Sequence, residues 1–249
     1  FDVVFVMAAT QGGVADHHAR PVAFAGDNAR IALNVIDGAA RAGVPRLVYA
    51  ASGALYPDSA AEPYGEEALA SGPIDPAHRP YAAAKLLGVR LCEAYAAERG
   101  LAYAPAIVNN TYGPGGTFDP ARSTLVHGMI ARAEATRAAG GDTLSVWGTG
   151  RARRDVLYTD DAAAALLLIA ETGATEPVNV ASGVNRPVGE IAGSVARAVG
   201  LARVAFDASK PEGALSRAVD VSRLAALGFA PRVTLEEGLA RTLAAFRGR

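Results

Sequence analysis

Three observations predict an α/β fold built on a parallel, Rossmann-type sheet. Short apolar runs at 1–9, 46–51 and 101–109 have the character of strands buried on both faces. Helical stretches at 22–42 and 81–99 separate them, in the order strand, helix, strand, helix, strand. Thr10 to Gly13, Ser52 and Asn109 to Thr111 each follow a strand, where open α/β sheets bind ligands, so they are expected to line one crevice.

The first run, from Phe1 to Ala9, carries only Asp2 as a charge. A strand apolar on both faces suits the middle of a parallel sheet. Further strands are therefore expected ahead of it, outside this sequence. Over 22–42, Phe24, Ala32, Val35, Ile36 and Ala39 form one helical stripe, and Gly43 supplies a stop. A loop rich in Gly, Pro and acidic residues covers 52–80. Pro80 suits a helix start, and Gly100 ends the helix that follows. Past 111–116 the alternation becomes irregular. Helices are expected at 123–138, 160–171, 188–199 and 235–246, and strands at 144–147, 155–158, 178–181 and 204–206. This reads as a smaller C-terminal domain interleaved with the sheet.

The bulk properties narrow the function. With 249 residues, 51% hydrophobic, the chain can bury one large or two small cores. A formal net charge of -1 argues against a nucleic-acid or membrane-surface partner. No apolar stretch approaches a membrane span, and no signal peptide is visible. The single cysteine, Cys92, allows no internal disulfide and is expected to be a packed thiol. His17 and His18 are expected on a loop surface, and no metal site is expected.

The chemistry concentrates in 79–88. Tyr81 and Lys85, four apart on a helix, lie one turn from each other on one face. An ordinary phenol titrates near ~10, and a neighbouring ammonium is expected to lower that value. The pair then forms a proton donor and acceptor usable near neutral pH. The spacing also fits a surface lysine beside a packed tyrosine. Composition weighs against that reading. Of 24 basic residues only Lys85 and Lys210 are lysines, so 22 arginines supply the ordinary surface charge. An ammonium suits a tuned proton site better than a guanidinium does.

Ser52 just past a strand, followed by Tyr81 and Lys85 on a helix, resembles the extended short-chain dehydrogenase/reductase family, the NAD-dependent epimerases/dehydratases. The resemblance implies a catalytic set of Ser52, Tyr81 and Lys85. It implies a cofactor site of Ala8, Ala9, Ser52, Tyr81, Lys85, Asn110 and Thr111. Segments 8–13, 52–57, 91–95, 110–114, 146–150 with Arg154, 160–161 and 206–213 are similar to the GDP-L-fucose synthase group of that family. The match runs from near the first residue to the C-terminus. Its most specific pieces are Trp147-Gly148-Thr149-Gly150 and Ser209-Lys210-Pro211-Glu212-Gly213.

That group converts a GDP-4-keto-6-deoxy sugar by epimerisation at C3 and C5 and NADPH reduction at C4. The resemblance therefore implies NADP as cofactor, with NAD left open, and a nucleotide-sugar substrate that is GDP-linked. It places Arg132, Trp147, Arg154, Glu212 and Arg217 at substrate-binding positions, Arg217 in place of a lysine. For Trp147 core packing is the competing reading. For Lys210 it is a turn pairing with Asp207. The resemblance further implies a partial dinucleotide-binding domain at 1–115, with 156–182 packing back onto it. A substrate domain then comprises 116–155 and 183–249. A homodimer through the helices at 22–42 and 81–99, and a cytoplasmic location, are also expected.

Two positions depart from the group. Ala54 stands where its members carry a cysteine, and Thr124 where they carry a histidine. Neither residue is a useful acid or base at neutral pH. The expected activity is therefore NADP(H)-dependent 4-ketoreduction without epimerisation. His127, one turn beyond Thr124, is the one candidate substitute. No Gly-x-Gly-x-x-Gly opens a helix in this sequence, so the pyrophosphate loop is expected outside it. The alternatives are another NDP-sugar epimerase of the family and a non-catalytic binding module or inactive fragment. A 4,6-dehydratase is disfavoured, because Gly53 and Ala54 stand where those enzymes carry Asp and Glu.

Overall fold

In the computed structural model, which describes residues 1–120, 122–210 and 212–248, strands and helices alternate through the first half of the chain. The order is β1 (Val4–Val6), α1 (Val14–Ala19), α2 (Pro21–Arg41), β2 (Arg46–Ser52), α3 (Arg79–Arg99), β3 (Ala102–Val108) and β4 (Asn110–Tyr112). It continues through α4 (Leu125–Ala138), β5 (Thr143–Trp147), β6 (Arg153–Tyr158), α5 (Thr159–Thr172), β7 (Val178–Val180) and β8 (Asn185–Pro187). It closes with α6 (Val188–Val199), β9 (Arg203–Asp207), α7 (Ser222–Ala226) and α8 (Leu235–Arg247).

The first compact unit comprises Phe1–Asn109, Ala162–Ala181 and Val219–Ala230. Its sheet is parallel with order β1-β2-β3-β7. β2 and β3 pair along their whole length, Arg46 opposite Ala102 through Ser52 opposite Val108, and five residues of each strand are buried. Leu47, Tyr103, Ile107, Ile36, Val89 and Cys92 fill the core without exposure. Complete burial of each such aliphatic side chain contributes about 1.5–3 kcal/mol. Gly100, at φ +65°, ends α3 in the left-handed conformation that a side chain resists. Asn179 ties distant segments together. Its Nδ2 donates to the carbonyls of Tyr64 and Asp220, and its Oδ1 accepts from Tyr56.

The second unit comprises Asn110–Asp161, Ser182–Ala218 and Pro231–Arg249. It holds a three-stranded sheet of order β4-β6-β8 and a parallel pair, β5 with β9. Met129, Ile130, Leu144, Ile191, Val195 and Leu239 form its core. α6 is the most regularly amphipathic of its helices, and Gly200 at φ +89° stops it.

Several expectations change. The first strand spans three residues rather than the whole run 1–9, and Phe1 and Met7 are exposed; among the described residues it pairs with β2 only. Val35 leaves the buried stripe of α2 and is 36% exposed. α1, β4, β8 and α7 are additional short elements with too few residues to show a period. Among the described residues no helix is long and apolar enough to cross a membrane.

Candidate active site

In the first unit, β2 delivers Ser52 at its carboxyl end. The Ser52 Oγ accepts from the Ala54 amide at 3.2 Å and caps the 3-10 turn Gly53–Leu55. At Gly53 a Cβ would lie 2.3 Å from Asn109 Oδ1, so the missing side chain lets Asn109 close on this turn.

α3 carries Tyr81 and Lys85 into the protein, where they are 5% and 2% exposed. The reading of Lys85 as a surface residue is therefore excluded. Lys85 Nζ donates to the Ala50 carbonyl at 2.8 Å. It lies 5.0 Å from the Tyr49 ring centroid and 5.9 Å from that of Tyr81. Burial pulls the ammonium down from 10.5 to about 8. The Tyr81 phenol moves opposite to the expected direction. Burial raises its pKa, and a hydrogen bond with Ser52 opposes the rise. The Lys85 ammonium, bonded to the Ala50 carbonyl, is not among the causes of the shift. Gln11 Nε2 reaches the Tyr81 hydroxyl at 3.4 Å, so the loop after β1 comes to the tyrosine. Ala8 and Ala9, on the same loop, are exposed and half-buried.

His17 departs from its expected place. It sits in α1, buried and stacked on Phe24 at 4.0 Å, and meets the Tyr81 ring edge-on at 5.3 Å. His78 lies 4.7 Å away and bonds Asp75 through Nδ1 at 3.0 Å. Burial, then His78, lowers the His17 pKa. His18 alone is exposed. Among the described residues no group of three or more His, Cys, Asp or Glu is placed to hold a metal ion. Cys92 is fully buried, and burial pushes its thiol to about 12.

The remaining expected residues belong to the second unit. Asn110 and Thr111 form β4, and Asn110 Nδ2 donates to the Asp155 carbonyl at 3.1 Å. Trp147 ends β5 and is 63% exposed, which removes core packing as its role. The turn after it needs its glycines. Gly148 and Gly150 have φ of +81° and +75°, and a Cβ on Gly150 would meet Phe206 at 2.3 Å. Glu212 organises this turn. Its Oε1 accepts from the Thr149 amide at 3.1 Å, the Thr149 hydroxyl at 2.7 Å and the Ala152 amide at 3.2 Å. The Thr149 hydroxyl is the main cause holding the Glu212 pKa below its usual value. Arg154 Nη1 donates to the carbonyls of Arg153 and Ala214. Arg132 is exposed on α4, and Arg217 is half-buried in the segment before Val219. In the 206–213 segment, Lys210 donates its amide to the Asp207 carbonyl, while the Asp207 carboxylate accepts from Ser209. Pro211 lies outside the described residues.

Ala54 sits in the 3-10 turn beside Ser52, and Thr124 is the exposed N-cap residue of α4. His127 is buried. Its Nε2 lies 2.8 Å from the Gly113 carbonyl and its Nδ1 3.0 Å from the Thr124 hydroxyl. The Gly113 amide also lies 3.4 Å from Nε2, so both ring nitrogens are engaged within the protein.

A buried Tyr/Lys pair beside a strand-end serine, on a parallel sheet, defines a class, and comparison with known proteins agrees. Residues 1–181 match the NAD dependent epimerase/dehydratase family, and the chain belongs to it. Within it the chain is a GDP-L-fucose synthase-like member. It is 37% identical to the GDP-L-fucose synthase of Sinorhizobium fredii, over 98% of this chain and 78% of that protein. Among solved structures, a GDP-6-OMe-4-keto-L-xylo-heptose reductase from Campylobacter jejuni superposes with a TM-score of 0.88 at 23% identity. That match covers 99% of this chain and 82% of the other. A GDP-L-fucose synthetase from Naegleria fowleri bound to NADP gives 0.87 at 23% identity, over 99% of this chain and 76% of the other.

Two contacts at the tyrosine and lysine were not found by sequence reasoning. Gln11 lay in the 10–13 segment expected to line the crevice but had no assigned role. Tyr49 meets Lys85 across 36 positions, and no local pattern signals such a pairing.

Proposed function

We propose that this protein is an NADP(H)-dependent 4-ketoreductase of a GDP-linked 6-deoxy-4-keto sugar that does not invert C3 or C5. The carrying observation is the buried Tyr81–Lys85 pair beside Ser52, with alanine at position 54. The names of the relatives support the GDP-sugar class, and the NADP-bound neighbour supports the cofactor.

The donor set fits a nicotinamide ribose. Lys85 Nζ has three N–H donors, of which one goes to Ala50, and the Tyr81 hydroxyl lies one helical turn away. The reduced nicotinamide, when bound, supplies the hydride for C4. Ser52 donates to the keto oxygen as negative charge grows there. Tyr81 transfers its proton to that oxygen. Its raised pKa keeps the phenol protonated until the oxygen becomes more basic than it. Lys85 orients the ribose, and Ser52, whose hydrogen bond opposes the rise in the Tyr81 pKa, steadies the phenolate that remains. In the second unit, Trp147 covers a base or sugar ring, and Arg132, Arg154 and Arg217 face pyrophosphate or ribose. Glu212 acts one step removed, by shaping the 148–152 turn.

Inversion at carbon needs a base on one face and an acid on the other. Ala54 supplies neither. His127 has Nε2 on the Gly113 carbonyl and Nδ1 on Thr124, an arrangement that ties a loop to α4 rather than freeing a base. The test is turnover of a GDP-4-keto-6-deoxy sugar with NADPH in D₂O, followed by NMR of the product. NADPH consumption without deuterium at C3 or C5 is expected, whereas enzyme-dependent deuterium there would overturn the reading in favour of another NDP-sugar epimerase. The buried pair opposes a non-catalytic module.

The same reading includes a homodimer through α2 and α3. Val22, Leu33 and Val35 on α2 are 83%, 45% and 36% exposed, which supports a covered face. Light scattering of a micromolar sample that reports a monomer removes this part. A cytoplasmic setting accords with the one buried, reduced cysteine.

A further inference from the structure

The Lys85 ammonium is buried without a carboxylate partner among the described residues, an arrangement that ordinarily drives a lysine to neutrality. Two groups from β2 face it. The Ala50 carbonyl accepts at 2.8 Å, and the Tyr49 ring presents its face with the centroid 5.0 Å from Nζ. Tyr49 is 1% exposed, and its hydroxyl has no hydrogen-bond partner among the described residues. The hydroxyl therefore does not explain how the ring is held. Gly88 does. A Cβ there would lie 2.2 Å from the Tyr49 Cζ, so the glycine clears a flat bed on α3, three residues beyond Lys85. A ring so placed offers its negative face to a desolvated cation.

We propose that Tyr49 is a positioning residue of the site, whose ring face, together with the Ala50 carbonyl, keeps the Lys85 ammonium charged and aimed past Tyr81. The other titratable groups near the pair are Tyr81 on α3, whose ring centroid lies 5.9 Å from Nζ, and the buried thiol of Cys92. His17 on α1 touches Tyr81, and His78 touches His17. Burial raises the pKa of Tyr49 itself, so its phenol stays neutral across the working range. The proposal rests on Lys85 belonging to the active site, but its test reads the pair without substrate or cofactor.

The composition makes the test clean. Lys85 and Lys210 are the only lysines, so protein labelled with ¹³C at lysine Cε shows two titrating signals, with exposed Lys210 as the internal standard. In the wild type the Lys85 signal is expected to titrate at about 8, below the 10.5 of an ordinary lysine. Tyr49→Phe keeps the ring face and is expected to leave that midpoint in place. Tyr49→Leu removes the face and is expected to lower the midpoint by about one pH unit, a cation–π contribution in a desolvated site. Pentafluorophenylalanine at position 49 keeps shape and packing but reverses the ring's polarity. It is expected to lower the midpoint at least as far, and it serves if Tyr49→Leu fails to fold. An unmoved Lys85 midpoint with the fluorinated ring overturns the proposal. So does an equal shift in Tyr49→Phe, which would transfer the role to the hydroxyl.

Discussion

The two units hold the residues proposed for the site in opposite ways. In the first, Tyr81 and Lys85 are 5% and 2% exposed on one helix, and burial moves both pKa values. In the second, Trp147 is 63% exposed, Arg132 lies on an open face, and Arg154 and Glu212 are engaged with backbone and Thr149 around a glycine turn. On the proposed assignment, the difference teaches that proton chemistry and ligand recognition impose different environments. A proton donor tuned by desolvation must be buried, and its stability and function become coupled. A recognition surface must stay open, and its residues can change with little effect on the fold.

The strongest way to break this contrast is Tyr81→Phe. Removing the phenol is expected to lower kcat by about 10²–10⁴-fold, the usual value of a general acid. The ring stays packed against His17 and Phe24, so the melting temperature is expected to hold. Near wild-type turnover would sink the assignment of Tyr81.

Lys85→Met sharpens it next. The buried ammonium titrates at about 8 against 10.5 for an ordinary lysine, so the folded state binds this proton less tightly than the unfolded one. Below pH 8 both states are protonated, and the folded state bears the whole desolvation cost, about 3 kcal/mol. That cost is relieved as pH rises from 8 to 10.5, so wild-type stability receives a favourable contribution across this window. Lys85→Met is expected to lack that pH dependence and to be more stable at pH 7 by about 1–3 kcal/mol, allowing for the lost bond to Ala50. Its activity is expected to vanish. Chemical denaturation of both proteins at pH 7 and 10 decides this, and a less stable variant at pH 7 contradicts it.

Trp147→Ala carries the smallest effect on the protein and tests the other side. Loss of an exposed ring is expected to change stability by no more than about 0.5 kcal/mol. KM for the nucleotide sugar is expected to rise roughly tenfold, the value of one stacking contact, with kcat unchanged. A large fall in stability would place Trp147 in a packing role after all.

Much of this was legible before the structure. α3 follows from Pro80 and Gly100, and α2 from its apolar stripe and Gly43, all of them local signals. β2 and β3 follow from unbroken apolar runs. The short elements were not legible. α1 has six residues, and its His17 is held by Phe24 and Tyr81 rather than by any period. Val35 was misplaced because the helical stripe is wider than the face that packs. Tyr81 and Lys85 were recognisable from spacing and from the scarcity of lysine. The direction of the tyrosine shift was not, because it depends on how much water the fold removes.

The sequence by itself determined the sheet-and-helix alternation, the family, and which residue types stand at the proposed reacting positions. These are properties of neighbours along the chain and of side-chain chemistry. Only the tertiary structure decided the environment of those residues. Desolvation moves Tyr81 up and Lys85 down, the Tyr49 ring and Ala50 carbonyl face the ammonium, and Glu212 reaches across 63 positions to shape the turn at Thr149. Burial and contacts between distant segments depend on how the whole chain packs, and no local pattern of residues encodes them.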